Sequence, residues 1–159
     1  MVAVIAGVFT GCDAEYVIKG NNVYIADAAL NPLRTTIVGL DPDIGYVDVV
    51  FFVRLAKRVD FDVTVAITLD DNYLSEFNTS YGTRHVTIPN EHIDLEADAK
   101  VTIPAREIGA AFTVRVTDFN FDGVRYVLPI ALGEVTGEIE KLEAQSKFIY
   151  SFAKPVVTE

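Results

Sequence analysis

Apolar and polar residues alternate with a period of two through most of this 159-residue chain. Val47, Val49, Phe51, Val53 and Leu55 line one face of a segment whose other face carries Asp48 and Arg54. Phe61, Val63, Val65, Ile67 and Leu69 alternate in the same way with Asp62, Thr64, Ala66 and Thr68. Successive side chains of a strand point to opposite faces, so such segments read as half-buried antiparallel strands. Phe112, Val114 and Val116 repeat the pattern, as do Tyr126, Leu128, Ile130 and Leu132, and then Phe148, Tyr150 and Phe152. Shorter runs occur at 23–26, 35–38, 86–88, 93–95 and 101–103.

Clusters of Gly, Pro, Asn and Asp separate these segments, and no helical period is sustained. The expected fold is all-β: a β-sandwich or barrel of seven to nine short strands with one short helical turn. That turn is expected at Asn72–Asn78, plugging one end of the sandwich. The stretch Gly133–Ala144 reads either as a helical turn or as a long exposed hairpin. Two strand layers enclose one core, so residues 22–154 are expected to form a single sandwich domain, with 155–159 as a tail.

The chain contains one cysteine, Cys12. It closes the apolar run Val2–Gly11, and a small residue directly before a lone cysteine is what a lipoprotein signal peptidase reads. Residues 1–12 are therefore expected to be a signal remnant whose lipobox cysteine, Cys12, carries lipid, with 13–21 as a tether. The first basic residue is Lys19, beyond the cysteine, so the run lacks the charged start of a secretory signal. A buried strand at Val2–Phe9 is the competing reading. The run is far shorter than the ~18 apolar residues that span a bilayer. The expected location is the outer-membrane surface of the cell envelope, with the membrane engaged through the lipid.

Acidic residues outnumber basic ones by 23 to 13, giving a net charge of −10. A surface of that sign repels phosphate backbones and argues against nucleic acid as a partner. Half of the residues are hydrophobic, which excludes a disordered chain.

Several stretches, in order, resemble the family called domain of unknown function 1735. They are Asn22–Ala28, Val63–Asp70, Glu76–Asn78 with Tyr81–Thr83, Val101–Ala105, and Tyr126–Ile130 with Val135–Gly137. The family is an Ig-like N-terminal module of Bacteroidetes surface lipoproteins. The resemblance implies that the fold is an immunoglobulin-like antiparallel β-sandwich of seven to nine strands on the cell surface, often in glycan-uptake systems and commonly preceding a carbohydrate-binding or glycosidase domain. It supplies no catalytic set. Phe77-Asn78 stands where Tyr-Asn is more usual, and the Gly133–Ala144 stretch departs from the pattern.

Tyr73, Phe77 and Tyr81 recur every four residues beside Asp71, Asn72 and Asn78. Sugar sites need flat aromatic faces for ring C–H groups, and carboxylates or amides for hydroxyls. These six residues are the candidate ligand site, although aromatics at helical spacing are more often core. Asp118, Asn120 and Asp122, followed by Gly123, reproduce the first half of a calcium loop. Its twelfth position is Pro129 instead of a bidentate Glu, so the preferred reading is a hairpin joining Phe112–Val116 to Tyr126–Leu132. Phe119 and Phe121 would then form an apolar wedge at its tip. His85 and His92 flank Pro89-Asn90 as if on a hairpin, without the third ligand that zinc wants.

Glycine-rich phosphate loops, a nucleophile elbow and a zinc-protease helix are all missing from the sequence. The expectation is a non-enzymatic cell-surface module without a cofactor, acting as spacer or glycan-binding component of a polysaccharide-capture system. The alternative is a structural or adhesive subunit that binds a protein partner by edge-strand pairing, with Phe148–Phe152 as the strand to watch.

Overall fold

The computed structural model describes residues 21–31, 33–39, 41, 43–117 and 125–153. Eleven strands form two facing sheets. The first sheet contains β1 (Asn22–Ile25), β3 (Tyr46–Leu55), β6 (Ile93–Asp94), β8 (Gly109–Thr117) and β10 (Glu140–Lys141), in the order β10-β1-β3-β8-β6. The second runs β2-β11-β9-β4-β7, with β2 at Thr35–Gly39, β4 at Val63–Leu69, β7 at Lys100–Ile103, β9 at Tyr126–Val135 and β11 at Lys147–Ala153. The two-residue β5 (Val86–Thr87) adds to the start of β9. Most pairings are antiparallel; β1 with β10, β2 with β11 and β5 with β9 are parallel.

The alternation in the sequence maps onto burial. Val49, Phe51, Val53 and Leu55 of β3 face inward with Val23, Ile25, Val114 and Val116. They meet Val63, Val65, Ile67, Ile103, Leu128, Ile130, Phe148, Tyr150 and Phe152 of the second sheet. Each such large side chain contributes roughly 1.5–3 kcal/mol by leaving water. Phe51 and Tyr150 stack across the two layers with centroids 5.9 Å apart. The Tyr150 hydroxyl donates to Asp27 Oδ2 at 2.6 Å and so ties down the short helix α1 (Ala26–Leu30). Burial, and then the bond to Asp27, push the Tyr150 hydroxyl pKa far up.

Eleven strands exceed the seven to nine expected, because β5, β6 and β10 have two residues each and carry no readable alternation. The helical turn is a full helix, α2 (Asp71–Tyr81). Gly133–Ala144 is neither a helical turn nor a hairpin. β9 continues to Val135, after which the chain crosses to the first sheet as β10 and forms a short 3-10 turn at Glu143–Gln145. Buried Ile139 anchors that crossing in the core.

Three expected pairings differ in the structure. β8 and β9 lie in different sheets, so no hairpin pairs them; their inward residues belong to one core instead. The 85–92 segment likewise passes from β5 in one sheet to β6 in the other, which separates His85 and His92. The strand holding Phe148–Phe152 is not an edge. β11 pairs antiparallel with β9 and parallel with β2, and Phe148, Ile149, Tyr150 and Phe152 are all buried. Its consecutive apolar residues Phe148, Ile149 and Tyr150 reflect burial on both faces.

Candidate functional site

The outer face of the second sheet is covered by α2. Residues 70–78 contain no β-branched side chain, and Asp70 caps the helix by accepting the Tyr73 amide at 2.9 Å. Gly82 ends it in the left-handed conformation, φ 65°, with its amide donating to the Asn78 carbonyl. Leu74 and Phe77 point down onto Val127 of β9 and Ile149 of β11, the outward apolar residues of those strands. Asp70 also pairs with Lys147 of β11 at 2.8 Å, so cap and sheet are fastened at one point. Burial pushes the Asp70 carboxyl up, but the bonds from Lys147 and the Tyr73 amide more than offset this and hold it below its ordinary range.

A cleft of about 310 Å³ opens between α2 and the loop before β2. It is lined by Leu33, Arg34, Tyr73, Glu76, Phe77, Ser80 and Tyr81. The loop is pinned by Asn31, whose Oδ1 accepts the Leu33 amide at 3.0 Å and whose Nδ2 donates to the Thr35 carbonyl. Arg34 adopts φ 54°, a left-handed conformation unusual for a long side chain. Its amide donates to Asn31 O at 2.9 Å and its carbonyl accepts from Ile149 at 3.0 Å, which fixes the residue from both sides. Burial raises the Tyr73 hydroxyl pKa, and the nearby Arg34 guanidinium works against the rise. Lys147 Nζ sits 5.5 Å from the centre of the Tyr73 ring. The Phe77 and Tyr81 rings lie 4.5 Å apart, and Tyr81 is 55 % exposed.

The six residues expected to form a ligand site do not converge. Tyr73, Phe77 and Tyr81 line this cleft, while Asp71 and Asn78 face the opposite flank of α2 beside His85, Val86 and Thr87. Asn72 is exposed and lines neither cleft. Asn78 is committed to the backbone: its Nδ2 donates to the His85 carbonyl at 2.8 Å, and its Oδ1 accepts from the His85 amide at 2.9 Å and the Thr83 hydroxyl at 2.8 Å. Asp71 accepts a bond from the Thr87 hydroxyl. Both are structural ties for the return from α2 into β5.

Arg34, Glu76 and Ser80 are cleft residues absent from that set. Glu76 and Ser80 lie three and seven residues after Tyr73, so helical spacing pointed to them. Arg34 comes from a distant loop and carries no such signal.

Cys12, Asp118, Phe119, Asn120, Phe121 and Asp122 lie outside the described residues. Among the described residues no group of three or more His, Cys, Asp or Glu is arranged to hold a metal ion, and no helix is long and apolar enough to cross a membrane.

The outer face of the first sheet is different. Arg115 of β8 makes a two-pronged pair with Asp48 of β3, at 2.7 and 2.8 Å, and lies 4.1 Å from the Tyr46 ring centre. Val50 and Phe52 stand beside it, about half exposed, with no helix among the described residues over them. A groove of about 410 Å³ runs past Asp48, Arg115, Asp94 and Lys100 at the edge of this sheet.

The two facing sheets define an immunoglobulin-like β-sandwich domain. The model of a family described as an N-terminal domain matches residues 19–139, and the chain belongs to that family, the domain of unknown function 1735 family. The chain is similar to a candidate carbohydrate-binding protein from Bacteroides ovatus, with 16 % identity, a TM-score of 0.67, and coverage of 85 % of this chain and 37 % of that one. It is also similar to an endoglycosidase, EndoBT-3987 of Bacteroides thetaiotamicron, solved with a Man5GlcNAc product. There the identity is 15 %, the TM-score 0.64, and the coverage 83 % and 30 %. A Bacteroides ovatus multidomain protein including DUF1735 matches at 15 % identity and TM-score 0.59, over 76 % and 40 %. This chain thus spans well under half the length of each, and at such identities the likeness is one of fold. No curated protein matches the chain.

Proposed function

We propose that this chain is a non-enzymatic, glycan-binding module of a polysaccharide-capture system on the cell surface. The observation that carries the reading is the cleft beside α2. It sets a guanidinium (Arg34), a carboxylate (Glu76) and a hydroxyl (Ser80) against the exposed ring of Tyr81. Aromatic faces take the C–H surface of a sugar, while the polar groups exchange hydrogen bonds with its hydroxyls. The charged pair Arg34 and Glu76 has no nucleophile–base partner of the sort acyl transfer needs, and it faces no second carboxylate in the cleft. The names of two similar structures, one for carbohydrate binding and one for a glycosidase, support a glycan setting. Affinity gels cast with plant, yeast and host polysaccharides test this. The wild type is retarded by at least one of them, and Tyr81→Ala runs free; equal mobility of both proteins in every gel would sink the proposal.

The same reading puts the module on the outer membrane, held by lipid on Cys12. The apolar run that ends in Gly11-Cys12 supports it. Stable anchoring takes more than one acyl chain, as a bacterial lipoprotein carries. Cells fed radiolabelled palmitate should label the wild type and not Cys12→Ser. Label on both, or on neither, rules the anchor out.

A further inference from the structure

We infer that the cleft beside α2 takes one uncharged sugar ring, presented at a chain end or on a branch, and not a run of several units; this rests on the glycan reading above. The first observation is size. About 310 Å³ lies at the lower limit of ligand sites, which run from ~300 to 1,000 Å³.

The second is the supply of stacking surface. Of the three aromatic residues lining the cleft, only Tyr81 is exposed. Phe77 is buried against Val127 and Ile149, with the Tyr81 ring 4.5 Å away. Tyr73 is half-buried, and Lys147 stands near its ring while pairing with Asp70. The other exposed aromatic rings among the described residues, Tyr46, Phe52 and Phe61, do not line the cleft. A second sugar unit in line with the first would therefore find no ring to stack on among the described residues.

The third is the polar set. Arg34 donates, Glu76 accepts, and Ser80 does both, which matches the hydroxyls of a single ring. Arg34 and Glu76 offset each other within the cleft and the chain as a whole stands at −10, so a uronate or sulfate gains no net attraction there and a neutral ring is favoured.

Titration calorimetry with glucose, galactose, mannose and xylose series, each from one to six units, tests the inference. At least one series should bind with an affinity that levels off by the second unit and changes less than about two-fold thereafter. Tyr81→Ala, a change at an exposed position, should weaken that binding at least ten-fold, as should Arg34→Gly. Oligogalacturonates should not compete. Affinity that climbs several-fold with each unit to the fourth or beyond overturns the single-ring inference and leaves the glycan reading standing. Tighter binding of oligogalacturonates than of every neutral series overturns the choice of a neutral ring alone. Binding that neither variant weakens overturns the choice of cleft. Silence across all four series and the oligogalacturonates overturns the glycan reading itself.

Discussion

The two outer faces of the sandwich make a controlled contrast within one chain. On the second sheet, outward Val127 and Ile149 are apolar, and α2 covers them with Leu74 and Phe77. On the first sheet, outward Asp48 and Arg115 pair with each other, and Val50 and Phe52 remain open to solvent. A bare sheet face is flat and offers a ligand little depth. A helix laid over the face creates a step, and the pinned Leu33–Arg34 loop turns that step into a cleft. The helix thus both completes the packing and supplies the concavity on that face, whereas the other face has no such helix among the described residues.

The contrast is broken most directly at its aromatic residues. Phe77→Ala should cost about 3 kcal/mol in chemical denaturation, because a buried ring leaves a cavity under α2. Phe52→Ala on the open face should stay within about 0.5 kcal/mol of wild type. Equal losses at both positions would mean that α2 does not protect its face.

Next comes the fastening point. Asp70→Ala removes the helix cap and the partner of Lys147, and should cost about 1–2 kcal/mol. Asp70→Asn keeps the cap and isolates the charge. The folded-state pKa of Asp70 lies below its ordinary value of 3.8, so its ionic contribution is present above that pH and fades as pH falls through the lower, folded value. The acid limb of the stability curve should therefore flatten in Asp70→Asn. An unchanged limb in urea titrations at successive pH values would disprove the linkage.

Arg34→Gly tests whether the cleft carries strain. Glycine accepts φ 54° without the steric cost of a side chain, so stability should hold or rise by roughly 1 kcal/mol while sugar binding is lost. A thermal melt read beside a binding assay would show the trade; a large drop in melting temperature would contradict it. The smallest effect is expected at Asp48→Asn. Its Arg115 bond holds the carboxyl low, yet the pair is exposed, so unfolding curves should overlay those of the wild type.

Much of the fold was legible because burial in strands leaves a period of two. Val49, Phe51, Val53 and Leu55 announce their face, and Val63, Val65 and Ile67 announce theirs. Pairing was less legible. The β8 and β9 segments read as hairpin neighbours because they adjoin in sequence, yet inward residues look the same whichever sheet holds the strand. The aromatic spacing of Tyr73, Phe77 and Tyr81 correctly marked one helical face. It could not show that Asp71 and Asn78 turn the other way, since one residue along a helix is a rotation of about 100°. Nor could it bring in Arg34, whose place depends on the bond from Ile149 to its carbonyl.

The placement of β11 between β2 and β9 has a consequence for how the molecule comes to exist. Ile149 registers with Thr35 and with Pro129, so β11 fills the place between β2, made early in the domain, and β9, made shortly before it. Until Phe148, Tyr150 and Phe152 emerge, the first-made strands face an unfilled interior and two raw edges. A domain wired this way cannot seal its second layer until β11 itself has been made.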